Sequence, residues 1–303
     1  MRFREWGAFT LLGAIWGTSF LWIKIALQDI GPFTLVAFRI LFGLLGLLVV
    51  MRLRRQSFPR DRRIILAFLI LSVFQTALPF TLISWGETRI DSAVASILNA
   101  TMPLFTIVIA HFWLLDEKLT LSRMAGLVVG FAGVVILMSR DLGPAGLRGN
   151  LLGQLAVLGA AISYSVGVTF TRRHLQGQSP VVQSTLTLLF ADVILWLVTP
   201  FAEHPIRLPA LPITWLALLW LGLLGSCTAY LLYFYLINTW GATRASVVTY
   251  VFPVIGLILG IVFLNEAVDL RLVIGSLLVV AGIVVVNLKL RRATESPTPT
   301  PAR

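Results

Sequence analysis

The sequence predicts an all-α polytopic membrane protein, ten transmembrane helices arranged as two inverted five-helix repeats with both termini in the cytoplasm. Three observations carry this. Hydrophobic residues make up 58% of the 303-residue chain and charged residues only 12%, outside the range of ordinary soluble domains. Apolar runs of about 20 residues, the length a helix needs to cross a hydrocarbon core of about 30 Å, recur along the whole chain. One stretch also occurs twice: NATMPLFTIVIAHFWLLDE, residues 99–117, returns as TYVFPVIGLILGIVFLNE, residues 249–266. The offset is half the chain, so the protein is a duplicated unit.

Ten runs qualify as spans: 7–28, 32–51, 64–86, 91–113, 121–138, 149–171, 180–200, 213–236, 242–264 and 270–290. They are too long for barrel strands and lack a period of two, so helices alone satisfy their backbone groups in lipid. Residues 7–138 and 149–290 hold five spans each. Five is odd, and the second repeat therefore inserts upside down relative to the first. Residues 291–303, Pro/Thr-rich, read as a disordered tail. Arg2 and Arg4 ahead of the first run resemble a signal peptide, but that run is too long and no small-residue cleavage site follows.

The net charge of +11 does not indicate nucleic acid, because the basic residues are sorted by membrane side. Segments assigned to the cytoplasm hold 17 of the 24 Lys and Arg, and the external loops hold 5. The positive-inside rule places both termini in the cytoplasm of a cell (inner) membrane. The densest group, Arg52, Arg54, Arg55, Arg60, Arg62 and Arg63, is a topology signal that also meets anionic headgroups. A single cysteine, Cys227, excludes an intramolecular disulfide.

In the first span Gly13, Trp16, Gly17, Thr18 and Ser19 interrupt an apolar helix, and the sixth answers with Gly159, Ser163, Tyr164, Ser165 and Gly167. Small residues four apart allow close helix contact. Lys24, near a span end, is expected to snorkel. Pro32 opens the second span as Pro180 opens the seventh. The third carries Gln75 and Thr76 near its middle, with Pro79 just beyond; an amide facing lipid is expensive, so Gln75 points inward, toward another helix or toward a ligand.

The fourth and ninth spans are the repeated stretch. A helix-interior proline leaves the carbonyl four residues earlier without its donor. Pro103 frees the carbonyl of Asn99 and Pro253 that of Thr249, so each half sets a kink and a polar group near the membrane midplane. Arg39 and Asp192 are charges inside spans, and Asp192 reads either as a buried partner, for instance of Arg39 on the equivalent helix, or as a proton carrier. His111 and the pair Tyr233 and Tyr235 read as interfacial residues.

These features resemble the drug/metabolite transporter superfamily, in particular its ten-helix branch of paired five-helix units called EamA domains. The resemblance rests on the two proline-to-glutamate stretches ending at Leu115-Asp116-Glu117-Lys118-Leu119 and Leu264-Asn265-Glu266, on Gly126, Ala132, Gly133 and Gly275, Ala281, Gly282 after them, on Trp16-Gly17 with Lys24, and on Pro32 and Arg39. It spans residues 8 to 288, with one register difference: 14 positions separate Pro103 from Glu117 and 13 separate Pro253 from Glu266. It implies export of small metabolites, amino acids and their aromatic members included, by alternating access at the repeat interface.

On the spans that border that interface in the family, Trp16, Ser19, Gln75, Asn99, Tyr164, Tyr230, Thr249 and Tyr250 are expected to line one cavity. Such a lining suits a zwitterion with an apolar side chain. Multidrug antiport of the small four-helix kind needs a carboxylate in the first helix, and residues 7–28 have none. A phosphorylated or nucleotide-sugar cargo wants several cavity cations, and only Arg39 and Lys24 are available. The expected partners are a small-molecule substrate and the lipid bilayer, not nucleic acid; the oligomeric state is open, a monomer being consistent with it. No cofactor or metal is expected, and no nucleophile, base and acid can be assembled for an enzyme.

Overall fold

The computed structural model describes residues 3–114, 119–139 and 150–288. The motif glutamate Glu117 and the tail 291–303 lie outside the described residues. Those described form helices and no strand. The spans, numbered in chain order, are Phe3–Ala26, Pro32–Leu53, Arg62–Glu87, Ser92–Trp113, Leu121–Met138, Asn150–His174, Pro180–Ala202, Pro212–Trp240, Arg244–Leu264 and Leu270–Leu288. The first nine are long and apolar enough to cross a membrane. Large apolar side chains such as Phe112, Val128, Phe201 and Leu277 stay exposed on their outer faces, as a hydrocarbon surround requires.

Local chemistry sets the span starts. Pro32, Pro180 and Pro212 occupy first turns, where a missing N–H costs nothing. Asp61 and Ser179 cap theirs by accepting from Arg63 N and Val182 N.

The contact pattern maps onto itself when each span is exchanged with the one five later. First-on-ninth becomes sixth-on-fourth, first-on-eighth becomes sixth-on-third, and second-on-eighth becomes seventh-on-third. Second-on-seventh, fourth-on-ninth and fifth-on-tenth each map onto themselves. The fifth and tenth spans cross backbone to backbone: a Cβ on Gly126 would stand 2.6 Å from Gly282 O, and one on Gly133 would stand 2.7 Å from Gly275 O. Those two contacts are mates under the same exchange, and only glycine permits them.

Irregular backbone recurs in matching spans. The third winds into a π-helical segment at Val73–Ala77 and the eighth at Trp220–Thr228. The fourth breaks between Ser92–Asn99 and Met102–Trp113, and the ninth passes through a 3₁₀ turn, Val247–Val251, before Phe252–Leu264. Pro103 and Pro253 each stand in the first turn after the break, as proline geometry demands. Membrane-embedded irregular backbone is tolerated where protein encloses it, and these four spans meet around the centre of the bundle.

Candidate functional site

The irregular segments surround one cavity. It is lined by Trp16, Ser19, Phe20 and Ile23 of the first span, Arg39 of the second, Gln75, Phe80 and Ile83 of the third, Asn99 and Met102 of the fourth, Tyr164 of the sixth, Tyr233 of the eighth, and Thr249 and Phe252 of the ninth. About 40 Å³ of it is open to the centre of a water molecule, room for a few waters, so the conformation is closed down around the site. Six of the eight residues expected to line a cavity are brought together here: Trp16, Ser19, Gln75, Asn99, Tyr164 and Thr249.

Tyr230 and Tyr250 are not on this lining. Pro79 has no N–H to offer the carbonyls four and five residues back, Gln75 O and Phe74 O. Tyr230 donates its hydroxyl to Gln75 O at 2.8 Å, and Ser163 donates to Phe74 O at 2.8 Å. With its proton so used, the Tyr230 oxygen accepts from Thr76 Oγ1 at 2.7 Å. Tyr230 therefore stands behind the lining as a cross-repeat support. The Tyr250 hydroxyl turns to Ile283 O of the tenth span at 3.2 Å.

Tyr233, expected at the interface, is instead a fully buried wall residue that shares the lining with Gln75. One turn from Tyr230 on the same helix, it presents its ring to Trp16 at 5.0 Å.

Arg39 and Asp192 do not pair. Arg39 Nε donates to Ser226 Oγ at 3.2 Å, and its guanidinium lies over the Phe80 ring at 3.9 Å. The carbonyl of Gly225 receives Trp16 Nε1 at 2.9 Å and lies 3.5 Å from Arg39 Nη2. The π-helical stretch of the eighth span thus presents both a hydroxyl and a carbonyl to the first two spans. Asp192 Oδ1 is buried without a partner. Equivalence in the repeat put the two charges on packed helices, but not on facing turns.

Two acceptors on the lining are unspent: the amide oxygens of Gln75 and Asn99 are buried and have no hydrogen-bond partner. The carbonyl of Thr249, expected to be free, accepts from Phe252 N in the 3₁₀ turn, and the Thr249 hydroxyl donates to Ser246 O at 3.0 Å. The tightened turn supplies the donor that Pro253 lacks.

One face of the bundle is closed by carboxylates holding helix N-termini across the two halves. Glu203, after the seventh span, accepts from Phe33 N at 2.7 Å and from Thr34 N at 3.0 Å. Glu266, after the ninth, accepts from Ser92 N at 2.7 Å and Ala93 N at 3.0 Å. Asp29 answers from the first half, accepting from Ala210 N and Leu211 N at 2.9 Å each. Charge-assisted bonds at the positive end of a helix are the strong kind. The backbone bonds and the neighbouring Thr214 hydroxyl hold the Asp29 carboxyl below its ordinary value, and its small burial opposes them only in part. Lys24 does not snorkel: its ammonium donates to Glu87 O at 2.7 Å and Ile90 O at 2.8 Å, tying the first span to the end of the third on this same face. None of these ties has a local sequence signal, except that each acid follows or precedes a span end.

His111 stands near the opposite end of the fourth span, accepting from Leu119 N at 3.1 Å. Among the described residues, no group of three His, Cys, Asp or Glu side chains is placed to hold a metal ion.

The class defined by this arrangement is a polytopic helical membrane protein with a central cavity between two related halves. The chain belongs to the EamA-like transporter family, whose model matches it twice, over residues 6–139 and 151–288. It is similar to the uncharacterized inner membrane transporter YedA of Escherichia coli, 30% identical over 268 residues, covering 86% of this chain and 84% of that protein. Another relative is the uncharacterized transporter YoaV of Bacillus subtilis, 27% identical over 272 residues, with 89% and 91% covered. A solved crystal structure shares the fold with a TM-score of 0.70 at 22% identity, covering 96% of this chain and all of the other. The protein is a membrane transporter.

Proposed function

We propose that the protein exports amino acids, aromatic and other apolar ones foremost, by alternating access to the cavity between its halves. One observation carries the reading: a single buried cavity carries an Arg39 guanidinium with no carboxylate hydrogen-bonded to it, two unspent amide oxygens, and a wall of Trp16, Phe20, Phe80, Tyr164, Tyr233 and Phe252. A guanidinium matches a carboxylate, the amide oxygens of Gln75 and Asn99 match an ammonium, and the rings match an apolar side chain. Together they match a zwitterion.

A phosphorylated cargo would bring two charges to one arginine. A lipophilic cation would meet that same arginine as a like charge. Export as the direction rests on the family resemblance, and the positive-inside assignment sets the carboxylate-held face outermost.

Purified protein in proteoliposomes, loaded with labelled phenylalanine, leucine, a nucleotide sugar or a quaternary ammonium dye, separates these cargoes. Efflux of phenylalanine that Arg39→Lys and Asn99→Ala each reduce at least tenfold supports the reading. Movement of the nucleotide sugar or the dye alone would replace it. A proton gradient added in either direction tests coupling.

A further inference from the structure

Glu87 closes the third span, one residue beyond the run that hydropathy defines. It is fully buried, and neither carboxyl oxygen has a hydrogen-bond partner. Four residues before it Ile83 lines the central cavity; the residue after it, Thr88, lines an outer cavity of about 450 Å³ shared with Asp29, Glu203 and Arg207. Glu87 therefore stands in the partition between the two spaces, on the face that the carboxylates hold shut.

Its charged neighbours are already engaged. Lys24 of the first span, Arg39 of the second and Glu266 beyond the ninth lie within electrostatic reach. The Lys24 ammonium is bound to the carbonyls of Glu87 and Ile90, the Arg39 guanidinium rests on Ser226 and Phe80, and Glu266 holds the start of the fourth span. Arg89 stacks on Trp85 at 3.6 Å. The sixth span, packed on the same segment, contributes Tyr164 and no charged residue before Arg172; the fourth contributes Asp91 at its N-terminal cap and none from there to His111. An ionised carboxylate without hydrogen bonds at such a place is strongly disfavoured, while the neutral acid is tolerated.

We propose that Glu87 is the proton-carrying group of the transport cycle, neutral while this face is closed and ionised when it opens. Opening admits water from the outer cavity. The Glu87 O–H bond then breaks, the proton passes to that water, and the Lys24 ammonium leaves the two backbone carbonyls for the new carboxylate. The charge appears beside Glu266, and repulsion between the two weakens the hold of Glu266 on Ser92 N and Ala93 N. Protonation from the outer solution reverses each step and closes the face, so a proton enters the site after the cargo leaves.

This rests on the transporter reading, and its test needs no substrate. Infrared spectra of the purified protein at neutral pH should show the carbonyl stretch of a protonated carboxyl that Glu87→Gln removes and Glu87→Asp keeps. Ser19→Cys in a Cys227→Ala background, in vesicles of both orientations, is then treated with a membrane-impermeant thiol reagent. Labelling from the carboxylate-held face should rise several-fold as pH is raised, remain low and flat in Glu87→Gln, and regain its rise in Glu87→Asp. An unchanged carboxyl band in Glu87→Gln, or the same pH profile in that variant, overturns the proposal. Should Ser19→Cys stay unlabelled from both faces, the cavity reading fails, and the infrared band alone still decides whether Glu87 holds a proton.

Discussion

Tyr230→Phe removes one oxygen from a place where two other polar groups depend on it. Gln75 O, left without a helical donor by Pro79, loses the hydroxyl that bonds it at 2.8 Å, and Thr76 Oγ1 loses its acceptor at 2.7 Å. Tyr230 and Thr76 are both fully buried, so water is a poor substitute. An orphaned buried polar group costs about 1–3 kcal/mol in soluble proteins, and intramembrane hydrogen bonds average about 0.6 and reach about 1.7 kcal/mol. The loss should therefore be about 1–3 kcal/mol, read as a drop of several degrees in the thermal unfolding midpoint in detergent. Pro79→Ala provides the internal control. Alanine restores an N–H within reach of the carbonyls of residues 74 and 75, so in that background Tyr230→Phe should cost about 1 kcal/mol less, a coupling that a double-mutant cycle measures. If Tyr230→Phe is as stable as the parent, or costs the same in both backgrounds, the tyrosine is not standing in for the missing donor.

Gly133→Val puts a Cβ 2.7 Å from both Gly275 O and Val279 N, backbone atoms that cannot swing aside, and should cost more than about 3 kcal/mol, seen as loss of the monodisperse peak on size exclusion. Gly167→Ala meets Gln75 Oε1 first, 2.5 Å away, with Gln75 Cβ and Cα next at 3.2 and 3.3 Å; the amide must swing aside and the third span give slightly, so the protein should fold with a modest loss of stability while phenylalanine efflux falls at least threefold. Asp29 has a folded-state value lowered from 3.8 by the bond from Leu211 N, the neighbouring Thr214 hydroxyl and the bond from Ala210 N. Its contribution to stability is therefore full above the ordinary aspartate value and is lost as pH falls through the lowered one. The unfolding midpoint should decline across that acid window, and Asp29→Asn should lower the neutral-pH plateau and flatten the decline.

What could be read from the sequence was local or periodic. Ten spans follow from hydropathy alone, and the breaks near Pro103 and Pro253 follow from a missing N–H, which needs no tertiary information. The same rule applied to Pro79 points at Gln75 O and calls for a donor on another span; Tyr230 fills that place, and this signal was available in the sequence. The pairing of Arg39 with Asp192 failed because equivalence under the repeat names packed helices without naming facing turns. Tyr250 left the lining for the tenth span and Tyr233 joined it for a similar reason: near a helix break, position along the chain does not fix direction around the axis. The clasps of Glu203, Glu266 and Asp29, and the burial of Glu87, join residues from 63 to more than 170 positions apart or depend on neighbours so distant, and no local pattern encodes them.

The central claim, that the two halves enclose one cavity in which cargo sits, is tested most directly by thiol protection. In the Cys227→Ala background, Asn99→Cys and Tyr164→Cys place a thiol on the lining, whereas Tyr250→Cys places one beside the tenth span. Small water-soluble thiol reagents should label the first two from at least one membrane face, and phenylalanine should slow that labelling several-fold. The Tyr250→Cys thiol should show no protection. Equal labelling of all three with no effect of phenylalanine, or no labelling at 99 and 164 from either face, would contradict the account.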